Sequence, residues 1–471
     1  MPIDLSQTYG SGRAPDLDLL DSKNALYAVW HTGGAGTVIF QRIDRQGSRI
    51  AAEQELSDEK GDHFWAQVAA GTGTRRSECV YVAWVRSKPR TTGQLELLYR
   101  RSIDAGDNFE PEVSLSGVVP GISAPLIRAR GRLVLIAWYR NEPTAGNPSR
   151  KRVWLARSTD YGASWERARV GCEDVDFDML NTLPASFGEL HDVLDVAVSD
   201  DGRIVALAYP YLPAKSKTPG MFSIMLALSK DAGATFKCFD VTGPGFLPSD
   251  PDWFTLVNTC GRPRLAIAGR VLHVSWQRGF DGGILCFRSF SLPAFDATPE
   301  LDEAPQMLFM SENIDTHSIA IGQLSFGTMT FREFDEAGHH AQWVTMVRGG
   351  TAFVTAELDV GEFRDCPLAL PSSAIAAMPL AEPRVCIIGL RTASGGKIAI
   401  RSTVVLRSSQ TSYEQQSATV YSLGAGEWAK LYQVHSDPAS PKALFVIWEG
   451  GSGPSGGIKL ARSLDGGRAF N

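Results

Sequence analysis

The sequence lacks any run of 18 apolar residues, so no membrane-spanning helix is expected. It lacks a CxxC pair. Its seven cysteines (Cys79, Cys172, Cys238, Cys260, Cys286, Cys366 and Cys386) stand singly, and an odd count does not build a full disulfide framework. Several lie in strand-like runs such as CVYVAW and RVCIIGL, where cysteine reads as a small buried hydrophobe. A glycine-rich phosphate loop, an HExxH motif and a Ser–His–Asp order are all missing, which removes the best-marked nucleotide, zinc-protease and serine-hydrolase classes. Positive charge is not in excess. Lys and Arg number 46 against 52 Asp and Glu, a net charge of −6, so neither nucleic acid nor an anionic membrane is an expected partner. The opening MPIDLSQTYGSGRAPDLDLLD shows no basic and then apolar leader, and with the scattered cysteines this makes a cytoplasmic location the expectation.

What is present is ample apolar material, 44% of 471 residues, enough for a large core. The apolar runs are short, β-branched and aromatic, with Gly, Pro, Asn and Asp between them, which is an all-β pattern. One run recurs with an aromatic at its end: ALYAVW to Trp30, VYVAW to Trp84, VLIAW to Trp138, VLHVSW to Trp276 and LFVIW to Trp448. Weaker members fill the gaps: IVALAY to Tyr209, GTMTF to Phe331 and VCIIGL near Gly389. The markers recur about every 59 residues. A unit of that length built of short strands is a β-propeller blade. The expectation is one all-β domain over residues 1–471, a β-propeller of eight blades, each of four antiparallel strands. Seven blades are the alternative, because residues 300–370 are poorly patterned.

A second repeat runs through RSIDAGDNF (101–109), RSTDYGASW (157–165), LSKDAGATF (228–236) and RSLDGGRAF (462–470). Its serines are Ser102, Ser158, Ser229 and Ser463, and its aspartates Asp104, Asp160, Asp231 and Asp465. In the third unit, SAPLIRAR, GRLVLIAWYR, RVWLARSTD and WERARV read as strands one to four, which puts the motif in the turn between strands three and four. There the aspartate accepts hydrogen bonds from its own turn, the serine adds another, and the glycine takes a positive φ. The aromatic is expected to pack between strands. The last copy stops at Asn471 with no fourth strand. MPIDLS (1–6) resembles the outer strands EPEVSLS and KCFDVTG, so the N-terminal segment is expected to complete the last blade and close the ring.

The spacing S-x-D-x-G-x-x-[FW] resembles the Asp-box, or BNR repeat, of the sialidase-like β-propeller superfamily. That superfamily includes sialidases, other glycoside hydrolases, lectins and non-catalytic assembly factors. The resemblance implies a ligand site at the channel mouth, on the face away from the boxed turns. Sialidases carry an early Arg-Ile-Pro motif. Here QRIDRQG offers Arg42-Ile43-Asp44 instead and reads as a decayed box, with Asp44 and Gly47 in its turn. Tyr413 and Glu414 are adjacent, so on a strand they point to opposite faces. No sialidase catalytic residue is carried onto this chain.

At the expected mouth, His63, His191 and His317 begin the inner strands of units two, four and six. Histidine suits proton transfer, ligand contact or metal ligation. A three-ligand metal site needs all its nitrogens about 2 Å from the ion, and alternate blades are spaced too widely for easy convergence, so no cofactor is expected; the three histidines read as solvated or water-bridged channel groups, with a ligand contact, catalysis or a metal as the alternatives. Arg86, Arg140, Arg278 and Arg391 follow the second strands. They read either as forks for a carboxylate or phosphate, or as guanidinium groups stacked on tryptophan. Arg262 and Glu427 sit near inner-strand starts. Trp253, in GPGFLPSDPDWF, reads as a stacking platform. The expected function is binding of a glycan or small anionic molecule at the channel mouth. The alternatives are a glycoside hydrolase or lyase using the channel His and Arg residues, and a protein-interaction scaffold.

Overall fold

The computed structural model describes residues 2–6, 12–19, 25–32, 36–58, 62–72, 78–87, 93–143, 150–170, 175–176, 194–211, 223–242, 260–268, 271–278, 283–291, 306–311, 314–321, 327–334, 340–348, 351–357, 374–378, 384–392, 398–407, 413–437, 440–452 and 456–471. Among these residues the strands pair into eight antiparallel sheets. The first sheet orders β2 (Gly12–Leu19), β3 (Ala25–Thr32), β4 (Val38–Asp44) and β5 (Gln54–Glu55). The second holds β6 (Asp62–Thr72), β7 (Glu78–Ser87), β8 (Gln94–Ser102) and β9 (Val113–Pro120). The third holds β10 (Leu126–Arg130), β11 (Leu133–Asn141), β12 (Arg150–Ser158) and β13 (Glu166–Arg169), with β14 (Val175–Asp176) also on β12. The fourth is β15 (Asp195–Val198), β16 (Val205–Tyr211), β17 (Ser223–Ser229) and β18 (Lys237–Asp240). The fifth is β19 (Cys260–Ala268), β20 (Val271–Arg278), β21 (Gly283–Ser291) and β22 (Gln306–Ser311). The sixth is β23 (Ile314–Ile321), β24 (Gly327–Phe334), β25 (His340–Arg348) and β26 (Thr351–Glu357). The seventh is β27 (Ala374–Met378), β28 (Arg384–Thr392), β29 (Ile398–Arg407) and β30 (Tyr413–Ser422). The eighth is β31 (Glu427–Asp437), β32 (Ser440–Ser452), β33 (Gly457–Ser463) and β1 (Ile3–Asp4).

Each recurrent aromatic run is the second strand of one sheet. These strands read as near-continuous apolar sequence because both of their faces are covered. β7 is buried at every residue but its last, and β16 is buried throughout. Fourth strands need no such run, and β13 is exposed along its whole length. Trp30, Trp84, Trp138, Trp276 and Trp448 are all 0–1% exposed. Trp30, Trp84 and Trp276 stand opposite bulges in their first strands, at Arg13/Asp16, Phe64/Gln67 and Gly261/Arg264. The extra residues bend the first strand at that level. Trp65, inside one bulge, has φ 56°.

The first strands contact one another in the order β2, β6, β10, β15, β19, β23, β27, β31 and back to β2. A first strand has one edge without a ladder partner, and its unpaired N–H groups must be satisfied. Side chains from the neighbouring first strand do this. Asp16 accepts from Val68 N–H at 2.7 Å, Asp18 from Ala70 at 2.8 Å, Asp195 from Leu265 at 2.8 Å, and Gln433 from Leu17 at 2.8 Å. Arg128 Nε donates to the Val196 carbonyl at 3.2 Å.

The repeated S-x-D-x-G turns lie between third and fourth strands, and their internal bonds follow the expected pattern. Each serine hydroxyl accepts the glycine N–H at 2.8 Å and donates to its aspartate at 2.6–2.7 Å. Gly106, Gly162, Gly233 and Gly467 have φ of 78–87°. Asp44 reproduces part of the pattern, accepting Ser48 N–H at 2.6 Å, with Gly47 at φ 85°. Two of the aromatics pack across to the third strand of the preceding sheet. Phe109 meets Phe40 edge-on at 4.9 Å, and Trp165 meets Tyr99 at 4.8 Å.

An arginine just before the serine position adds a second fastener. Arg42, Arg101 and Arg157 each reach the next sheet's turn, donating to the carbonyls of Ala105 (2.9 Å), Tyr161 (3.0 Å) and Ala232 (2.8 Å). Arg462 of the eighth sheet does the same to Arg45 of the first, at 3.0 Å. Ile3 and Asp4 pair with Leu460 and Lys459, Leu5 N–H bonds the Ile458 carbonyl at 2.8 Å, and the Leu5 side chain is fully buried. Cys79 and Cys286 are free buried thiols, whereas Cys238 on β18 is disulfide-bonded.

Candidate site at the ends of the second strands

The boxed turns dock at the starts of second strands: Ala105 N–H bonds Glu78, Tyr161 bonds Arg132 and Ala232 bonds Arg203. The opposite ends therefore carry Arg86 (β7), Arg140 (β11), Arg278 (β20) and Arg391 (β28) at one level of the repeat. His63, in register with Arg86, shares that end, and Arg262 and Glu427 lie in the first turns of travel of β19 and β31. His317 is the fourth residue of β23. His191 and Trp253 lie outside the described residues.

The four expected groups whose side chains are described, His63, Arg86, Glu427 and Arg140, have different surroundings. His63 is 2% exposed, and its Nδ1 accepts the Trp84 indole N–H at 3.1 Å, which leaves the proton of the neutral ring on Nε2. Arg86 is 6% exposed and donates to Glu96 at 2.8 Å and Glu112 at 3.1 Å. Burial pushes the Glu112 carboxyl up despite the pull of Arg86. This is a buried pair that fixes the third and fourth strands against the second. Glu427 accepts from Tyr421 Oη at 3.1 Å and from Gly424 N–H at 2.7 Å, and burial together with that carboxylate raises the Tyr421 hydroxyl.

Arg140 is arranged otherwise. Its guanidinium lies over the Trp154 ring, 5.1 Å from the centroid, and its side chain is 30% exposed. Trp154 stacks in turn on Trp138 at 6.4 Å and 23°. Glu142 Oε1 accepts the Trp154 indole N–H at 2.8 Å and stands 3.8 Å from Arg140 Nε. Among the described residues no other ion-pair or hydrogen-bond partner is found for the Arg140 side chain. The W-x-R repeat marked Arg140, but the stacking ring comes from the adjacent strand, not from Trp138 two residues earlier. Trp154 and Glu142 carried no such mark, because cross-strand neighbours are set by register.

Along the first strands a second charged group forms. Burial lifts the Asp16 carboxyl to about 6, against the hydrogen bonds from Val68 and Gln433, while burial lowers the His435 imidazole. Among the described residues no group of three His, Cys, Asp or Glu side chains is placed to hold a metal ion.

No family model matches the sequence, and no curated protein matches it. Solved structures similar in fold include the WD40 domain of SCAP from fission yeast, with TM-score 0.45 and 8% identity over 99% of this chain and 98% of that one. The polysaccharide lyase Uly1 gives 0.45 and 12% over 98% and 90%. The GH93 α-L-arabinofuranosidase of Fusarium graminearum with arabinobiose gives 0.38 and 10% over 98% and 96%. At these scores and identities the likeness assigns neither a family nor an activity.

Proposed function

We propose that the eight sheets are the blades of one closed Asp-box β-propeller, and that it binds a glycan or small anionic molecule at the end away from the boxed turns. The cyclic order of first-strand contacts and the pairing of β1 with β33 support the ring. The observation that carries the binding reading is Arg140: a partly exposed cation over the Trp154 ring, whose only described charge partner stands 3.8 Å from Nε. Arg86 belongs to the framework instead, because both its carboxylate partners lie within its own sheet.

The test is calorimetric titration with a panel of acidic and neutral oligosaccharides, small carboxylates and sugar phosphates. At least one anionic member is expected to bind, with Arg140→Ala weakening it tenfold or more at unchanged Tm. Arg86→Ala is expected to lower Tm. If no anionic member binds, or if Arg140→Ala binds like the parent protein, the reading is wrong.

A further inference from the structure

We infer that Glu142 is a positioning residue and charge filter that makes the Arg140 seat select a carboxylate monoanion, such as a uronate sugar, over a phosphate dianion. The inference rests on the binding reading above and deepens it. Glu142 performs two tasks with one oxygen. Its bond to Trp154 Nε1 fixes the turn of the indole on which the guanidinium lies, and its charge sits on the Nε side of Arg140. The Arg140 side chain is 30% exposed while its Nε is buried beside Glu142, so the forked end of the guanidinium is the part left for a ligand. Parallel N–H groups on a planar cation match the two oxygens of a carboxylate.

The charge balance decides between anions. Arg140 and Glu142 together are neutral, and both side chains are about 30% exposed or less (30% and 27%), where screening by water is weaker than at an open surface. A monoanion therefore meets one cation and one neighbouring carboxylate. A dianion doubles the repulsion from Glu142 while Arg140 remains a single positive charge. Arg152, in register with Arg140, is 2% exposed, so its guanidinium does not contact a ligand; its charge is a fixed background against which Glu142 sets the preference.

The test uses the whole protein with glucuronate, glucose 6-phosphate and glucose as probes, followed by ligand-observed NMR titration. Glucuronate is expected to bind at least tenfold tighter than glucose 6-phosphate, and glucose more weakly still. Glu142→Gln keeps an oxygen for the Trp154 indole and removes the charge. It is expected to cut the carboxylate preference tenfold or reverse it, with Tm and near-UV circular dichroism unchanged. Arg140→Lys, which retains charge without the fork, is expected to weaken glucuronate more than the phosphate. Equal binding of both anions through Arg140, or an unaltered preference in Glu142→Gln, overturns the filter while the binding reading stands. If neither these probes nor any anion of the wider panel binds, the binding reading falls and the filter with it.

Discussion

Two aspartates show how position alone sets opposite responses to acid. Asp160 sits in a boxed turn. Burial is the largest single influence and raises its carboxyl, but bonds from the Ser164 hydroxyl (2.5 Å), the Ser164 N–H (2.9 Å) and the Ser158 hydroxyl (2.7 Å) together outweigh it and hold it at about 2. Its folded value lies below the unfolded one, so its stabilisation is present above pH 4 and lost as pH falls toward 2. Asp160→Asn is expected to cost about 1 kcal/mol at pH 7 after solvent screening, with the gap closing toward pH 2, as read from urea midpoints. Asp16 has the opposite sign. Burial lifts it to about 6, above the unfolded value of 3.8, so its stabilisation is full below pH 4 and is lost as pH rises through 6. The expected decline is up to about 3 kcal/mol between pH 4 and 7, reduced by the charges around it. Those charges are Asp18 on its own strand and Arg128 from β10, and His435 from β31 feels the same two groups. His435, lowered by burial, loses stability as pH falls and so opposes Asp16 in the same window. Subtracting the Asp16→Asn profile from that of the parent isolates the Asp16 contribution. A flat difference would remove it.

Strands at the ends of sheets succeed or fail by their edges. β1 contributes only two ladder residues, yet it covers the edge of β33, and Leu5 beside it is fully buried among Leu17, Phe445 and Leu460. Leu5→Ala is expected to cost 2–5 kcal/mol in the usual range for a buried leucine, roughly, by the cavity it leaves. Removal of residues 1–6 is expected to lower Tm further and to produce concentration-dependent light scattering, because β33 then presents unpaired backbone groups. Retention of the parent Tm by the truncated chain would show that β1 contributes nothing to closure. This pairing was legible because MPIDLS matches the outer-strand pattern of EPEVSLS and KCFDVTG. The packing of Phe109 on Phe40 was not legible, since nothing local tells an aromatic which sheet it will meet.

Across the molecule, the turns and arginines link sheets in one direction, from first to second, second to third, third to fourth, and eighth to first. Arg462→Ala interrupts the link between chain ends, and Arg157→Ala an ordinary one. Each is expected to cost about 1–2 kcal/mol, the range for a charge-assisted hydrogen bond that is partly exposed. Chemical unfolding of the two variants measures this. An Arg462→Ala variant of undiminished stability would mean that the last link is not used. The sequence alone determined the strand periods, the repeat and the chemistry of the turns, because those depend on residues within about ten positions of one another. It also marked Arg86 and Arg140 as equivalents. Only the tertiary structure separated them: their neighbours gave Arg86 two carboxylates, the buried Glu96 and the partly buried Glu112, and gave Arg140 a tryptophan face and one carboxylate at its back. Charge, burial and pKa are properties of neighbours, and the neighbours are chosen by register and by contact between sheets.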